Sequence, residues 1–253
     1  MIGVFDSGVG GLTVLKAMRD TFPSIDVVYF GDTKNAPYGE KAREELSALT
    51  AQGIRLLLDK GATNIVSACN SVSASLAVSL YDALSLVPSQ LIEMVGPTVA
   101  AFKGSHKRVA LCATSATVQS DIYQNAFHMI GLDIQAIAIP ELAGAIERGE
   151  SSDRIDEIVA SALVHLPPNF CDILVLGCTH FPLALASFAK VLGDSVDIFD
   201  PADAVAARVE RDLWPREVGD GTTRFVLSKD SAVFRRLADE LFRESEYSIE
   251  VLE

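Results

Sequence analysis

The segment NIVSACNS at residues 64–71 and the segment DILVLGCTH at residues 172–180 share one pattern. In each segment a short aliphatic run leads to a cysteine, and small polar residues follow. Aliphatic runs of this length, bounded by turn residues, are typical of central strands in a parallel sheet. The pattern therefore predicts two buried strands, each with a cysteine, Cys69 or Cys178, at its carboxyl end and close to the start of a helix.

This position suits a reactive thiol. Ligands bind at the carboxyl ends of the strands in open α/β sheets, and helix N-termini favour anions, including a thiolate. The alternative for any cysteine is a small apolar core residue. Cys112 and Cys171 are assigned to the core because neither has the polar residues that flank Cys69 and Cys178.

Strand and helix patterns alternate along the rest of the chain, which predicts an α/β fold with helices on both faces of a parallel sheet. The predicted strands span residues 2–6, 25–30, 64–68, 91–95, 108–113, 133–139, 172–176, 196–199, 223–228 and 247–251. The predicted helices include residues 11–21, 40–60, 73–85, 117–130, 153–166, 202–213 and 230–242.

The spacing of the strand ends indicates an internal repeat. Cys69 lies 63 residues after Asp6, and Cys178 lies 64 residues after Thr114. Equal spacing in two halves suggests duplication. We therefore predict two similar parallel-sheet α/β domains related by a pseudo-twofold axis, with the active site in the cleft between them. The first domain is expected to comprise residues 1–93 and 203–253, and the second residues 94–202.

Composition narrows the functional classes. The 253 residues are 49% hydrophobic and 22% charged, as in an ordinary globular protein. A formal net charge of −13 disfavours binding to nucleic acid. The sequence shows no signal peptide and no apolar run long enough to cross a membrane, which predicts a cytoplasmic protein with free thiols. The spacing of cysteines and histidines predicts no metal site.

The glycine-rich segment DSGVGGL at residues 6–12 invites comparison with nucleotide-binding loops. It lacks the lysine of a Walker loop and the spacing of the dinucleotide fingerprint. The glycines instead predict a tight strand-to-helix turn that allows close approach of the backbone to a ligand. Asp6, at the end of the first strand, is either a helix cap or a group that orients substrate and tunes acidity.

Taken in order, these motifs resemble those of glutamate racemases, the cofactor-independent enzymes of the aspartate/glutamate racemase superfamily. The resemblance covers the whole chain. It rests on GVFDSGVGGL at residues 3–12, GDT at 31–33, PYG at 37–39, ACN at 68–70, ATVQS at 116–120 followed by Tyr123, and LGCTHFPL at 176–183.

The resemblance implies that two cysteines interconvert L- and D-glutamate without cofactor or metal. Cys69 is expected to take the proton from D-glutamate and Cys178 the proton from L-glutamate. Further expected catalytic residues are Asp6, His180 and Glu147. The expected substrate-binding residues are Asp6, Ser7, Tyr38, Gly39, Asn70, Ser71, Thr117, Thr179 and His180. The resemblance also implies a homodimer and a role in supplying D-glutamate for peptidoglycan.

The residue types suit this chemistry. Inversion at a carbon needs a base on one face and an acid on the other. A free cysteine has a pKa of about 8.5, so a thiol and a thiolate can coexist near neutrality. His180, two residues after Cys178, is expected to favour the thiolate or to shuttle its proton, the alternative being that it only holds the loop.

Three positions differ from the family pattern. Ser71 stands where threonine is usual, Ile139 where cysteine often precedes the proline, and Asn35 where arginine is common. None of these differences removes a catalytic group, but they leave substrate preference less defined than reaction type. Two alternatives therefore stay open: a different enzyme of the superfamily, such as an aspartate racemase, and a non-enzymatic binding protein on the same fold.

Overall fold

Two parallel β-sheets organise the chain. The computed structural model describes residues 1–73, 84, 86–167, 169–213, 219–243 and 245–252. Within these ranges the strands are β1 (Ile2–Asp6), β2 (Val27–Gly31), β3 (Asn64–Ser67), β4 (Leu91–Ile92), β5 (Val109–Ala113), β6 (Gln135–Ala138), β7 (Ile173–Gly177), β8 (Asp197–Phe199), β9 (Thr223–Leu227) and β10 (Tyr247–Val251). Each lies within, or differs by a few residues from, a strand predicted from the sequence.

Helices connect these strands. They are α1 (Leu12–Thr21), α2 (Arg43–Asp59), α3 (Asn70–Ser73), α4 (Val95–Ala100), α5 (Ser115–Gln119), α6 (Ile122–His128), α7 (Pro140–Glu147), α8 (Ser152–Leu163), α9 (Leu185–Leu192), α10 (Pro201–Leu213) and α11 (Ala232–Leu241). Short 3₁₀ helices span Pro88–Gln90, Phe181–Ala184 and Gly193–Ser195. None of the helices in the described ranges has both the length and the apolar character needed to span a membrane.

The strand order repeats between the sheets. The first sheet has the order β10-β9-β2-β1-β3-β4 and the second the order β6-β5-β7-β8, with all neighbours parallel. Reversed, the second order becomes β8-β7-β5-β6, which matches β4-β3-β1-β2 of the first sheet strand for strand. The α/β class with two similar parallel-sheet units is thereby confirmed, whereas the domain boundaries at residues 93 and 203 stay a prediction.

Helices cover both faces of each sheet. One face of the first sheet packs against apolar side chains of α1, α10 and α11, and the other against Leu46, Ile54 and Leu57 of α2. One face of the second sheet packs against α7, α8 and α9, and the other against α4 and α6. Such two-sided burial explains why the central strands are continuous apolar runs. Their carboxyl ends, with Cys69 and Cys178, are left to form the site.

One strand and one helix predicted from the sequence differ clearly from the structure. The strand predicted at 91–95 ends at Ile92, because the Glu93 carboxylate accepts hydrogen bonds from the backbone N–H groups of Val95 and Gly96, both at 2.6 Å, and starts α4 there. The helix predicted at 117–130 is divided into α5 and α6. Asp121, which lies between them, has a left-handed φ of 55°, a conformation that interrupts a right-handed helix.

Three helices were not specified by the sequence pattern, namely α4, α7 and α9. They are short, with six to eight residues each, so an apolar period of 3.6 has little length in which to show. Most of the helix predicted at 73–85 lies outside the described residues.

Gly53 in α2 offers a test of the packing between this helix and the first sheet. A Cβ atom added at Gly53 would lie 2.5 Å from the Phe5 ring, which is itself stacked on Phe30. We expect Gly53→Ala to lower the free energy of unfolding by about 1–3 kcal/mol through overpacking. Urea unfolding followed by circular dichroism measures the change.

The matched control is Gly144→Ala in α7. There the nearest atom to an added Cβ, at 3.0 Å, is the terminal nitrogen of the flexible Arg148 side chain. The intrinsic preference of helices for alanine over glycine, about 1 kcal/mol, should then leave stability unchanged or raised. Equal effects of the two substitutions would contradict the proposed packing constraint.

Candidate active site

Cys69 follows β3 and lies at the junction of the two sheets. Its side chain is buried, and its thiol donates a hydrogen bond to Ser7 Oγ, with a sulfur–oxygen distance of 3.7 Å. Burial, and then the charge of Asp6, raise the pKa of Cys69 to about 12 against the opposing hydrogen bonds of Val72 N–H and Ser7. Cys69 is therefore a protonated thiol at neutral pH.

Cys178 follows β7 and has a different neighbour. Its sulfur lies 3.7 Å from His180 Nδ1, and His180 Nε2 lies 2.6 Å from Glu147 Oε1. Burial alone would lower the pKa of His180. The hydrogen bonds of the imidazole with Cys178 and Glu147, together with their charges, outweigh burial and raise this pKa well above its usual range. His180 is thus an imidazolium held between a sulfur and a carboxylate.

Glu147 also contacts the glycine-rich turn of the first sheet. Its Oε1 atom accepts a hydrogen bond from Val9 N–H at 2.8 Å. A Cβ atom on Gly8 would lie 1.9 Å from the same oxygen, and one on Gly10 would lie 2.5 Å from Thr179 Oγ1. The glycines therefore allow side chains from the second half of the chain to approach this backbone closely.

Asp6 is fully buried and joins the two halves. Its carboxylate accepts hydrogen bonds from Gly8 N–H at 2.9 Å and from Thr179 Oγ1 at 3.1 Å. Beneath this turn, the Tyr29 hydroxyl donates to Gly8 O at 2.7 Å. Of the two alternatives for Asp6, the helix cap is wrong, because α1 begins after Gly11 without a side-chain cap and the bond to Gly8 lies within the preceding turn. The contact with Thr179 links Asp6 to the strand end that carries Cys178.

A chain of hydroxyl groups lines the side of the site near Cys69. Ser71 Oγ lies 2.9 Å from Thr114 Oγ1, which lies 3.2 Å from Thr117 Oγ1. Gly39 packs against Thr114, since a Cβ atom added at Gly39 would lie 2.6 Å from Thr114 Cβ. The carbonyl oxygen of Gly39 also accepts a hydrogen bond from Ala116 N–H at 2.8 Å. Three segments distant in sequence therefore meet around Thr114.

The Tyr38 hydroxyl faces Asp32. It donates to Asp32 Oδ2 at 2.6 Å, and Ser228 Oγ donates to Asp32 Oδ1 at 2.6 Å. Burial, and then the charge of Asp32, raise the pKa of Tyr38 well above its usual range. The hydroxyl is thus a protonated donor to Asp32, and this leaves the Tyr38 ring and the backbone that leads to Gly39 to shape the site.

The structure brings the predicted site residues together at one junction. The hydrogen bonds and close contacts described above connect all of them except Asn70. The Oδ1 atom of Asn70 accepts a hydrogen bond from the Tyr123 hydroxyl at 2.5 Å. Sequence reasoning missed the contributions of Thr114, Asp32, Tyr29 and Tyr123. Thr114 carried a signal, since it ends the strand that corresponds to β1 in the repeat. Asp32 and Tyr123 belong to the motifs quoted above, which gave them no role in the site, and Tyr29 acts through a contact that no local pattern reveals.

The arrangement suits proton transfer by side chains. Two buried thiols lie at the ends of corresponding strands, one beside a hydroxyl and the other beside an imidazolium. The charge of Cys178 contributes to the raised pKa of Cys69, so the two sulfurs lie within electrostatic reach of each other. Across the part of the chain that the structure describes, no group of three or more His, Cys, Asp or Glu side chains is arranged to hold a metal ion.

Comparison with known proteins defines the class. The family model described as Asp/Glu/Hydantoin racemase matches residues 13–209, most of the chain. The chain belongs to this family, and it is accordingly an amino-acid racemase, an enzyme of the isomerase class.

Similar proteins within the family are glutamate racemases. One from Thermoanaerobacter pseudethanolicus is 34% identical over 250 residues, which cover 96% of this chain and 93% of the relative. The crystal structure of glutamate racemase isoform RacE1 from Bacillus anthracis has a TM-score of 0.88 at 30% identity and covers 100% of this chain and 97% of that one. The glutamate racemase of Francisella tularensis in complex with D-glutamate has a TM-score of 0.87 at 27% identity, with the same coverage.

The contact between Glu147 and His180 gives a stability prediction that depends on pH. A histidine whose pKa is raised on folding contributes stability that is complete below its unfolded pKa of about 6.5 and is lost as the pH rises through the folded value. Glu147→Gln removes the charge but keeps an acceptor for Val9 N–H. We expect it to cost on the order of 2 kcal/mol near pH 6 and less near pH 10.

Urea unfolding of the parent and the variant at both pH values measures this difference. Glu150→Gln serves as the control, because Glu150 pairs with Arg148 at a more exposed position. The same stability loss for Glu147→Gln at both pH values would contradict a raised pKa for His180.

Proposed function

We propose that this enzyme is a glutamate racemase that interconverts L- and D-glutamate through Cys69 and Cys178, without a cofactor. The substrate is supported by the relatives at 30% identity and above over nearly the full chain. The observation that carries the mechanism is the pair of buried thiols at corresponding strand ends, each with its own polar partner. The proposal extends to the supply of D-glutamate for peptidoglycan by a cytoplasmic homodimer, which rests on the resemblance alone.

The two cysteines act on opposite faces of the substrate Cα. In the direction from L to D, the Cys178 thiolate removes the Cα proton, and the Cys69 thiol delivers a proton to the other face. In the reverse direction, Cys69 removes the proton from D-glutamate and Cys178 supplies one. The C–H bond that breaks and the C–H bond that forms share one carbon, so no net proton is consumed.

The electrostatics favour a defined starting state. The raised pKa of Cys69 suits it to be the proton donor toward L-glutamate, and the His180 imidazole lies against the Cys178 sulfur, which is the proposed base. Inversion of L-glutamate moves the proton from Cys69 to Cys178, so the product complex holds a Cys69 thiolate and a Cys178 thiol. The free enzyme is thus prepared for L-glutamate, and the product complex for D-glutamate.

The other polar groups hold the substrate. Asp6 is positioned to orient the ammonium group, and N–H and hydroxyl donors take the carboxylates and stabilise the charge that develops during carbon deprotonation. The proposed donors are the side chains of Ser7, Asn70, Ser71 and Thr117 and the backbone N–H of Thr179, whose hydroxyl already donates to Asp6, with Tyr38 and Gly39 completing the wall.

Cysteine-to-serine substitutions test the two-thiol mechanism. A serine hydroxyl is a far weaker acid than a thiol and supplies no comparable anion near neutral pH. We expect Cys69→Ser and Cys178→Ser each to lower kcat by about three decades, which corresponds to roughly 4 kcal/mol of transition-state stabilisation. Cys171→Ala, at the opposite end of β7, should keep activity near that of the parent.

Circular dichroism polarimetry with D-glutamate, and in parallel with D-aspartate, measures these rates. A parent kcat/KM that is higher for aspartate would refute the substrate assignment. Activity within about tenfold of the parent in both serine variants would refute the two-thiol mechanism.

Hydrogen exchange with solvent tests the opposed geometry. Each thiol carries one hydrogen, so inversion delivers a solvent-derived hydrogen, whereas return of the intermediate restores the original one. In D₂O, early D-glutamate formed from L-glutamate should carry deuterium at Cα while the remaining L-glutamate does not. Chiral separation followed by mass spectrometry gives the two deuterium contents. A single polyprotic base would instead label the substrate pool during return.

A further inference from the structure

The Tyr123 side chain has a specific partner beside the first thiol. Tyr123 lies on α6 in the second half of the chain and is fully buried. Its hydroxyl donates to Oδ1 of Asn70, the residue directly after Cys69, at 2.5 Å. The contact therefore joins the two halves of the protein at the cysteine that takes the proton from D-glutamate in the proposed mechanism.

This hydrogen bond leaves one end of the Asn70 amide unpaired. An asparagine side chain has an acceptor end and a donor end, and Tyr123 engages the acceptor end. Asn70 is 2% exposed, and its Nδ2 atom has no hydrogen-bond partner among the described residues. A buried donor without an acceptor costs about 1–3 kcal/mol, a cost that an anionic ligand with carboxylate oxygens removes.

Packing and burial fix the position and the protonation of the Tyr123 hydroxyl that bonds to this amide. The ring lies in the core of the second sheet and stacks on Phe127 with centroids 6.5 Å apart. Burial, opposed by a hydrogen bond with Thr98 and reinforced by the charges of Glu93 and Cys178, raises the pKa of Tyr123 well above its usual range. The hydroxyl therefore keeps its proton and remains a donor to Asn70.

We propose that Tyr123 is a positioning residue, which holds the Asn70 amide with its NH₂ group directed to a carboxylate of the substrate. The inference rests on the proposed function, because it assigns the Asn70 donor to an amino-acid carboxylate. It assigns Tyr123 no contact with the substrate and no part in proton transfer. Loss of its hydroxyl should weaken substrate binding, while both thiols and their polar partners stay in place.

Tyr123→Phe tests this role because it removes the hydroxyl and keeps the stacked ring. We expect KM to rise about tenfold for both D- and L-glutamate, with kcat within about threefold of the parent. Because the two enantiomers have equal free energy in water, kcat/KM must fall equally in both directions. Tyr247→Phe is the control, since that hydroxyl bonds to Asp239 at an exposed position, and its KM should match that of the parent.

A double-mutant cycle separates positioning from a general role in packing. Asn70→Ala removes the amide, so adding Tyr123→Phe to that variant should change KM by less than about twofold. The full tenfold rise in KM on the Asn70→Ala background, or an unchanged KM in Tyr123→Phe alone, would overturn the proposal. A purely structural role would lower the active fraction, and therefore kcat, without changing KM.

Asn70→Asp provides a test that leaves Tyr123 intact. It keeps an oxygen for the tyrosine hydroxyl and replaces the NH₂ donor with an acceptor that repels a carboxylate. KM should rise further than in Asn70→Ala, and an equal or smaller rise would refute the orientation of the amide. Racemisation by the parent, and its loss in Cys69→Ser, test the proposed function separately, so a failure of the Tyr123 inference alone is recognisable.

Discussion

The carboxylates of the buried Asp6 and the partly buried Glu147, which lie between the two sheets, determine the geometry of this site. A charged group removed from water must be paired with hydrogen-bond donors, and here the donors come from both halves of the chain. Asp6 binds Gly8 N–H of its own turn and Thr179 of the other half, while Glu147 binds His180 and reaches across to Val9 N–H. Because each carboxylate has one hydrogen-bond partner in its own half and one in the other, the two carboxylates hold the Cys69 strand end against the Cys178 strand end.

The glycine-rich turn illustrates how sequence and structure differ in what they reveal. The pattern at residues 6–12 predicts a turn that approaches a ligand closely, and the turn is present. The groups that approach it most closely, however, belong to the protein: the Glu147 carboxylate at Gly8, and Thr179 and His180 at Gly10. A local pattern indicates that space is needed, but the group that fills the space comes from residues far away in the sequence.

Other features of the fold were likewise predictable where a local sequence pattern determines them, and not where contacts between distant residues or the backbone conformation of one residue does. Strands β1, β3, β5 and β7 follow from aliphatic runs, and the two thiols follow from their place after such runs. The break between α5 and α6 does not, because it depends on the left-handed backbone of Asp121, which an apolar period does not report. The sequence assigns no role to the hydroxyls of Tyr29 and Tyr123, although Tyr123 belongs to one of the motifs, and only the fold shows that these hydroxyls support Gly8 and Asn70.

The duplicated fold carries an unequal pair of thiols. Corresponding strand ends hold Cys69 and Cys178, yet a serine hydroxyl adjoins the first and an imidazolium the second. A symmetrical pair would tend to have equal affinity for protons, whereas inversion in the proposed mechanism needs one acid and one base at each moment. The inequality does not favour either enantiomer at equilibrium, because a catalyst cannot shift it. In the proposed mechanism each turnover leaves the proton on the opposite sulfur, so the enzyme must return to its starting state by exchange with water or by a turnover in reverse.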